Sequence, residues 1–178
     1  MKMKKNKIVK ELLEWAKYFA ISFALMIIIS NFVIVNAVVI SPSMESTVMT
    51  NSRIIGSRLT YVIGEPKRFD IILFKFPDDE TREPFLKRII GLPNEKVEIK
   101  DGKVYINDSD IPLDDSFINE ESHGNYGPFF VPENSYFVLG DNRNNSHDSK
   151  NWVNKFVSKD KILGKIYIEY FPTPKLLD

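Results

Sequence analysis

A long uncharged stretch near the N-terminus constrains this chain more than any other feature. No side chain between residues 18 and 44 carries a charge, and residues 18–40 are rich in Phe, Ile, Val, Ala and Leu. Because about 20 apolar residues in a helix cross the ~30 Å hydrocarbon core of a bilayer, this stretch predicts one transmembrane helix over residues 18–40. A cleaved secretory signal is the alternative, but the apolar region of such a signal is only about 7–15 residues long.

The residues before the predicted helix indicate its orientation. Lysine recurs throughout residues 1–17, at Lys2, Lys4, Lys5, Lys7, Lys10 and Lys17. By the positive-inside rule, a basic flank of this kind stays in the cytoplasm. We therefore expect a single-pass protein of the cell membrane, with a cytoplasmic basic N-terminus over residues 1–17 and an extracytoplasmic domain over residues 41–178.

Composition excludes several kinds of site. The 178-residue chain has no cysteine, which rules out disulfides, thiol catalysis and thiolate metal sites. Its two histidines, His123 and His147, are too few for most transition-metal sites and poorly placed for a Ser-His-Asp triad. The 24 basic side chains balance 24 acidic ones and form no long tract with interleaved aromatics, so nucleic acid is not an expected partner. We expect no metal and no cofactor.

Short apolar runs separated by turn residues dominate the chain after residue 43. Runs rich in Ile, Val, Phe and Tyr, typical of β-strands, cover residues 53–63, 69–76, 85–91, 135–140 and 162–170. Within residues 97–106 the Asp101-Gly102 pair separates two alternating runs, which predicts a β-hairpin. Residues 107–132 are polar and turn-rich and predict a surface excursion. The fold class is therefore mainly β, an antiparallel β-sheet domain with one N-terminal transmembrane helix.

Ser43 stands a few residues beyond the predicted membrane boundary. Most lone serines are solvated surface residues, and this is the plain alternative for Ser43. Its neighbours Ile40 and Met44 are apolar, however, so its hydroxyl is suited to an apolar cleft. Pro42 fixes its own φ and keeps Ser41 out of the α region, which makes the turn before Ser43 stiff. Such a hydroxyl becomes a nucleophile only when a base takes its proton.

Lys87 is the strongest candidate for that base. Period-two alternation places it on one strand face with Phe85 and Ile89. The alternative is a surface lysine on an edge strand, where charge opposes aggregation. Lowering its pKa from about 10.4 to 7 disfavours the charged form by ~4.6 kcal/mol, and burial alone shifts lysine by up to about 3–5 units. Arg88 faces the other side and is expected to pair with a carboxylate.

Acyl transfer also needs hydrogen-bond donors for the developing oxyanion. The Ser43 backbone N–H is one candidate and the Ser41 hydroxyl is the second, whereas Pro42 has no N–H. Residues 140–149 read Gly-Asp-Asn-Arg-Asn-Asn-Ser-His-Asp-Ser. This pattern indicates a turn-rich loop that satisfies its own backbone, which is compatible with a rigid brace for the lysine. A calcium loop is disfavoured because Arg143 lies among few carboxylates.

Four segments, in the same order, resemble the motifs of the bacterial type I signal peptidases, serine-lysine enzymes that remove signal peptides from exported preproteins. Residues 41–47 read Ser-Pro-Ser-Met-Glu-Ser-Thr against the family's Ser-x-Ser-Met-x-Pro-Thr, and residues 69–74 read Phe-Asp-Ile-Ile-Leu-Phe against Gly-Asp-Ile-Val-x-Phe. Residues 87–95 read Lys-Arg-Ile-Ile-Gly-Leu-Pro-Asn-Glu against Lys-Arg-x-x-Gly-x-Pro-Gly-Asp. Residues 140–150 match Gly-Asp-Asn-Arg-x-x-Ser-x-Asp-Ser-Arg up to the final lysine. Jointly and in order, the four segments are highly specific.

The resemblance implies a role for each residue of the site. Ser43 is the nucleophile, Lys87 the general base and Ser41 the oxyanion donor. Ser146 orients the lysine amine by a hydrogen bond, and Asp148 holds the supporting loop. Family pockets accept small substrate residues at positions −1 and −3, and the matching apolar positions are Val39, Ile40, Met44, Phe74, Phe85 and Leu86.

The chain departs from the family motifs at four places. Ser46 replaces proline, Phe69 replaces glycine, Asn94-Glu95 replaces Gly-Asp, and Lys150 replaces arginine. None of these changes removes a reacting group, although they bear on substrate preference and on the rigidity of the site.

The expected function is that of a membrane-bound serine endopeptidase that removes N-terminal signal peptides. One alternative is a specialised protease of the same family with few substrates, which the departures fit. The other is a non-catalytic anchored subunit that binds precursors, but a binding subunit has no reason to keep both Ser43 and Lys87. Expected partners are preprotein signal peptides and membrane lipid, with the secretion machinery as a further candidate.

Overall fold

The computed structural model describes residues 2–79 and 83–177, with side chains from Val9 onward. Its N-terminal unit is helical: α1 spans Lys2–Ile28 and continues into a π-helical turn over Ile29–Val33. Within it, Val9–Val33 is long and apolar enough to cross a membrane, by length and composition. At 1.5 Å per residue this stretch measures about 38 Å, against a hydrocarbon core of ~30 Å. The predicted apolar N-terminal helix is confirmed.

The helix ends earlier than the predicted anchor, which extended to residue 40. Helical structure stops at Val33, and the next residues form a strand, β1 (Ile34–Val38). Residues 34–40 are uncharged and apolar like the helix before them, so composition alone does not separate a strand from the end of a membrane segment. The strand carries a different signature, because Val35 and Val39 are buried while Asn36 and Val38 are exposed.

Most of the remaining chain forms two antiparallel β-sheets. The strands after β1 are β2 (Arg53–Ser57), β3 (Ile71–Phe74), β4 (Phe85–Gly91), β5 (Lys96–Lys100), β6 (Lys103–Ile106), β7 (Tyr126–Phe130), β8 (Ser135–Leu139), β9 (Val157–Ser158), β10 (Ile162–Phe171) and β11 (Lys175–Leu176). The larger sheet has the order β1-β2-β10-β3-β4-β8-β9, with β11 against β10, and the smaller has the order β6-β5-β7. The predicted class, mainly antiparallel β, is confirmed.

The core lies on both faces of β3 and β4. Every residue of β3 is buried, which explains why its sequence, Ile-Ile-Leu-Phe, does not alternate with polar residues. Ile71 and Leu73 pack in one apolar cluster with Met44, while Ile72 and Phe74 pack in another with Trp152. β4 pairs with β3 on one side and with β8 on the other, so it is an interior strand of the larger sheet.

Two predicted strands are shorter than their apolar runs. The run from residue 53 ends as a strand at Ser57, whose Oγ accepts a hydrogen bond from the Leu59 N–H (3.1 Å); a helical turn, α2 (Thr60–Ile63), follows. The run from residue 69 becomes a strand only at Ile71. Just before it, the Asp70 carboxylate closes a turn by accepting from the Lys67 N–H (2.9 Å). In both cases a side chain accepts a hydrogen bond from a nearby backbone N–H and so limits the length of the strand.

The predicted hairpin is present, and the predicted excursion contains an additional strand. β5 and β6 pair across Asp101 (φ 48°) and Gly102 (φ 77°), the two positive φ values that a type I′ turn requires. The excursion of residues 107–132, predicted to be turn-rich, includes β7, which contains Gly127 and Pro128. Proline is tolerated there because β7 forms an edge of the smaller sheet.

Candidate active site

Ser43 lies in a 3₁₀ turn over Pro42–Met44 that directly follows extended backbone at Ser41. Pro42 occupies the first turn of this short helix, a position that suits its fixed φ and missing N–H. Two features of Met44 hold the turn in place. Its side chain is fully buried, and its backbone carbonyl accepts a hydrogen bond from the Val48 N–H (2.8 Å). Ser43 is thus held at the surface of the core with only 6% of its area exposed.

Lys87 lies in the middle of β4 and reaches the same point from the sheet. Its Nζ donates a hydrogen bond to Ser43 Oγ at 2.5 Å, and the residue is only 3% exposed. The Phe85 ring lies on the same strand face, 5.6 Å from Nζ. The structure therefore brings together the two residues that the sequence singled out as nucleophile and base, 44 positions apart.

Burial changes the chemistry of the lysine. Loss of hydration lowers the pKa of Lys87 from 10.5 to about 8. The Asp148 carboxylate opposes this shift, the Lys150 ammonium adds to it, and Asp141 opposes it in turn. A base with a pKa near 8 is neutral in about a tenth of the molecules at pH 7. The neutral amine, at hydrogen-bond distance from Ser43 Oγ, is able to take the hydroxyl proton.

Ser41 is placed beside the nucleophile. Its Oγ lies 3.2 Å from Ser43 Oγ, and both residues open onto one large cavity. This distance is compatible with the oxyanion role that the resemblance implies for Ser41, which stays a prediction.

The loop after β8 supports the nucleophile turn through backbone contacts. The Asn142 N–H donates to the Ser43 carbonyl (3.1 Å), and its Nδ2 donates to the Pro42 carbonyl (3.1 Å). Asp148 is fully buried. Its carboxylate accepts a hydrogen bond from the Gly140 N–H (3.1 Å) and forms an ion pair with Lys150 Nζ (3.0 Å). These contacts are compatible with the predicted loop-holding role of Asp148. Lys150, which replaces the arginine of the family motif, supplies the cation of this ion pair.

Ser146 does not make the hydrogen bond to Lys87 that the family motif implies. Its Oγ is buried and has no hydrogen-bond partner in the part of the chain that the structure describes. It lies against Gly140, since a β-carbon built on that glycine would collide with Ser146 Oγ and with the Ser43 carbonyl oxygen. Its role toward the lysine amine stays a prediction.

Ser43 and Lys87 both line a cavity of about 890 Å³. Of the six apolar positions expected to line substrate pockets, four do so: Val39, Ile40, Phe85 and Leu86. The side chains of Met44 and Phe74 are instead fully buried in the two apolar clusters, behind the cavity wall.

Other parts of the cavity wall were not predicted from the sequence. Strand β1 contributes Val35 and Ala37, which had been assigned to the membrane helix. Asn145 and His147 of the loop after β8 also line it; both occupy variable positions of the motif. No local sequence pattern marked β1, Asn145 or His147, because the burial alternation of residues 34–39 is visible only in the structure. Across residues 2–79 and 83–177, no cluster of three or more His, Asp or Glu side chains is arranged to hold a metal.

Two departures from the family motifs fall where the backbone favours glycine. Phe69 has φ 73° and Asn94 has φ 66°, a region that asparagine tolerates and phenylalanine rarely adopts. The Phe69 ring packs edge-on against Phe117 (centroids 5.5 Å apart), and its carbonyl accepts a hydrogen bond from Arg88 (3.0 Å). These contacts hold Phe69 in a conformation that glycine would adopt without strain.

The chain is similar to known proteins over most of its length. The family described as "Signal peptidase, peptidase S26" matches residues 12–171. A protein named "Probable signal peptidase I-2" from Synechocystis sp. is 38% identical over 169 residues, covering 92% of this chain and 75% of that protein. Signal peptidase I S of Bacillus subtilis is 36% identical over 172 residues, covering 92% and 91%.

A crystal structure of a signal peptidase I from Enterococcus faecalis V583 has 34% identity and a TM-score of 0.49, covering 57% of this chain and 97% of that one. The family match extends over most of the chain, including the segments of Ser43 and Lys87. The chain therefore belongs to the signal peptidase family, peptidase S26.

Proposed function

We propose that this protein is a signal peptidase I whose Ser43 and Lys87 cut signal peptides from preproteins at a membrane surface. The observation that carries the proposal is the 2.5 Å contact between Ser43 Oγ and the amine of a buried lysine, at the floor of a large cavity. A lysine with only 3% exposure is costly unless its neutral form is used. Membership of the peptidase family supports the same chemistry.

The geometry supports a two-stage acyl transfer. Neutral Lys87 takes the proton of Ser43 Oγ, which attacks the carbonyl carbon of the scissile bond. The resulting oxyanion accepts hydrogen bonds from the Ser43 N–H and the Ser41 hydroxyl. The Lys87 ammonium gives its proton to the leaving amine as the C–N bond breaks, which leaves an ester on Ser43. Water, deprotonated by Lys87, then hydrolyses that ester and restores the serine.

The cavity favours an extended peptide with small apolar side chains near the cut. Val39, Ile40, Phe85 and Leu86 supply apolar parts of the wall of the cavity that Ser43 lines. Bulk at these positions limits the volume left for the substrate residues at −1 and −3. Pockets of this kind suit the C-terminal end of a signal peptide.

The N-terminal helix supports a membrane location. It is followed by the cavity-bearing domain and preceded by a lysine-rich segment, so the positive-inside rule puts the N-terminus in the cytoplasm and the peptidase domain outside. In this location the helix contacts membrane lipid, and the secretion machinery that delivers preproteins is a further partner. Equal numbers of acidic and basic side chains argue against nucleic acid.

The direct test uses the full chain in detergent micelles with a preprotein that carries small residues at −1 and −3. Wild type is expected to cut at that site, and Ser43→Ala to be folded and inert, since it lacks the attacking oxygen. Cleavage is followed by gel shift, and the new N-terminus by mass spectrometry. Binding of the precursor without any cut by wild type would reject the peptidase in favour of a binding subunit, and unchanged cutting by Ser43→Ala would reject the nucleophile.

Gly140 offers a second test of the site geometry. A methyl group on its α-carbon would collide with the Ser43 carbonyl oxygen and Ser146 Oγ, so Gly140→Ala must displace either the nucleophile turn or the loop. Because displacements of about 1 Å cost up to ~10²-fold in rate, we expect kcat to fall at least about tenfold. Gly64→Ala is the matched control, since the added carbon meets only the Thr60 carbonyl at 3.2 Å. Equal preprotein cleavage by the two variants would contradict the prediction.

A further inference from the structure

The polar excursion between β6 and β7 reaches the loop that supports the nucleophile. Asn144 is held there by four hydrogen bonds: its N–H (3.1 Å) and Nδ2 (2.8 Å) donate to the Glu120 carboxylate, Nδ2 also donates to the Glu121 carbonyl (2.8 Å), and Oδ1 accepts from the His123 N–H (3.2 Å). The excursion therefore satisfies both polar atoms of the Asn144 side chain. Asn144 is the central residue of the 3₁₀ turn Arg143–Asn145.

The same excursion also contacts the nucleophile segment and the base strand. Asn119 Nδ2 donates a hydrogen bond to Ser46 Oγ (2.5 Å), and Ser46 lies three residues after the nucleophile. The Phe117 ring lies 4.2 Å from the guanidinium of Arg88, the residue next to the base. One short stretch, residues 117–123, thus contacts three parts of the site: the nucleophile segment, the base strand and the loop after β8.

Ser46 occupies the position at which the family motif has proline. A proline ring fixes φ from within the chain, whereas serine leaves that dihedral free and gains a hydroxyl. In this protein the Ser46 hydroxyl accepts a hydrogen bond from Asn119. This long-range hydrogen bond restrains a segment in which no proline ring fixes φ. The neighbouring Glu120 restrains the opposing loop, whose Asn142 N–H donates to the Ser43 carbonyl (3.1 Å).

We propose that residues 117–123 form a clamp that positions the nucleophile turn against the loop of residues 140–149, with Glu120 as its positioning residue. The proposal rests on the peptidase function above. Glu120 touches neither substrate nor reacting atoms; it acts through Asn144. Release of Asn144 frees the turn that carries Asn145, which lines the cavity, and loosens Asn142.

The test compares three variants of the full-length enzyme in micelles, with a peptide substrate carrying small residues at −1 and −3. Glu120→Ala is expected to lower kcat about fivefold to tenfold and to leave KM within about twofold, as a misplaced but intact site does. Glu120→Gln keeps an acceptor oxygen for the Asn144 N–H and should stay within about twofold of wild type. Glu121→Ala removes the same charge one position on, where the side chain has no partner among the described residues, and should match wild type.

Several results would overturn the clamp. They are a wild-type kcat in Glu120→Ala, an equal loss in Glu121→Ala, or no recovery in Glu120→Gln. In the double variant with Asn144→Ala, losses that add instead of coinciding would also overturn it, because the two residues are proposed to act as one contact. Thermal unfolding followed by tryptophan fluorescence verifies folding in each case.

Hydrogen exchange separates this proposal from the peptidase function. Amide exchange at Asn142 and Asn144 is expected to be faster in Glu120→Ala than in wild type and Glu121→Ala, whether or not any substrate is cut. Unchanged exchange would overturn the clamp even in an active enzyme. An inert wild type with faster exchange in Glu120→Ala would instead reject the peptidase function and leave the clamp standing.

Discussion

Lys87→Met is expected to abolish turnover while the protein stays folded. The variant keeps an unbranched side chain in the buried site and removes the amine that lies 2.5 Å from Ser43 Oγ. Without a base the hydroxyl is a weak nucleophile, so kcat/KM should fall by about 10³-fold or more. Lys103→Met, an exposed lysine on β6, is the matched control and should cut at the wild-type rate. Comparable activity of Lys87→Met would remove lysine from the mechanism.

The wild-type pH profile tests the same assignment of Lys87 as the base. Burial lowers the pKa of Lys87 to about 8. The logarithm of kcat/KM should therefore rise with pH at a slope near one through neutral pH, and level off above the pKa of the lysine. For a single base of this pKa, the increase between pH 6 and pH 8 is about 50-fold. A flat profile from about pH 5 to 9 would count against lysine as the base.

The buried Lys87 should lower the stability of the wild type at the pH values at which the lysine is charged. The pKa of Lys87 is about 8 when folded and 10.5 unperturbed, so between these values the unfolded chain binds more protons and folding becomes more favourable as pH rises. The cost of the charged lysine is fully present below about pH 8 and absent above 10.5. At neutral pH, Lys87→Met should therefore be more stable than wild type by up to about 3 kcal/mol. Urea unfolding near pH 7 and pH 10.5 measures this, and an equal difference at both values would contradict it.

Local sequence rules singled out Ser43 and Lys87 as candidates, and tertiary packing explains what these rules missed. Period-two alternation put Lys87 among apolar residues, and the two-residue Ser-Pro-Ser spacing put a second hydroxyl beside Ser43. Neither pattern gives the distance between Ser43 and Lys87. That distance follows from Met44, which buries the turn in one core cluster, and from the pairing of β4 with β3.

The predictions failed where one local pattern fits two environments. Residues 34–38 are apolar and uncharged in a membrane helix and in β1 alike, so the wall of the cavity was assigned to the anchor. Met44 and Phe74 are apolar neighbours of the site, but their buried faces point into the core. Phe69 keeps φ 73° without glycine because Phe117, 48 residues later, packs against it. Long-range contacts of this kind have no local sequence signal.

The second large effect is expected at the ion pair beside the site. Sequence alternation placed Arg88 opposite Lys87 and predicted a carboxylate partner, and this is confirmed: Arg88 Nη2 lies 2.8 Å from Asp141 Oδ2, with both side chains 3% exposed or less. Nε of Arg88 also donates to the carboxylate (3.0 Å). The pair ties β4 to the start of the loop that supports Ser43, since Asp141 follows Gly140 and precedes Asn142.

Asp141→Ala should lower the free energy of unfolding by about 3–5 kcal/mol, because it leaves a buried guanidinium without its carboxylate. Glu65→Ala is the matched control: it breaks an ion pair of similar length with Lys159 (2.6 Å) in which the glutamate is 72% exposed. Such a pair contributes at most about 1 kcal/mol. Urea unfolding in micelles measures both losses, and a loss in Asp141→Ala no larger than in the control would show that the pair is not a major contributor.

A double replacement separates the pair from the space it fills. Arg88→Met with Asp141→Leu removes both charges and keeps apolar volume, including a side chain beneath the Phe117 ring. Buried ion pairs replaced in this way commonly lose little stability, so the double variant should recover most of the loss seen in Asp141→Ala. If it is instead as unstable as the single variant, the cost comes from the geometry of the loop and not from the unpaired charge. Preprotein cleavage by the double variant then tells whether the position of Ser43 depends on the Asp141 carboxylate itself.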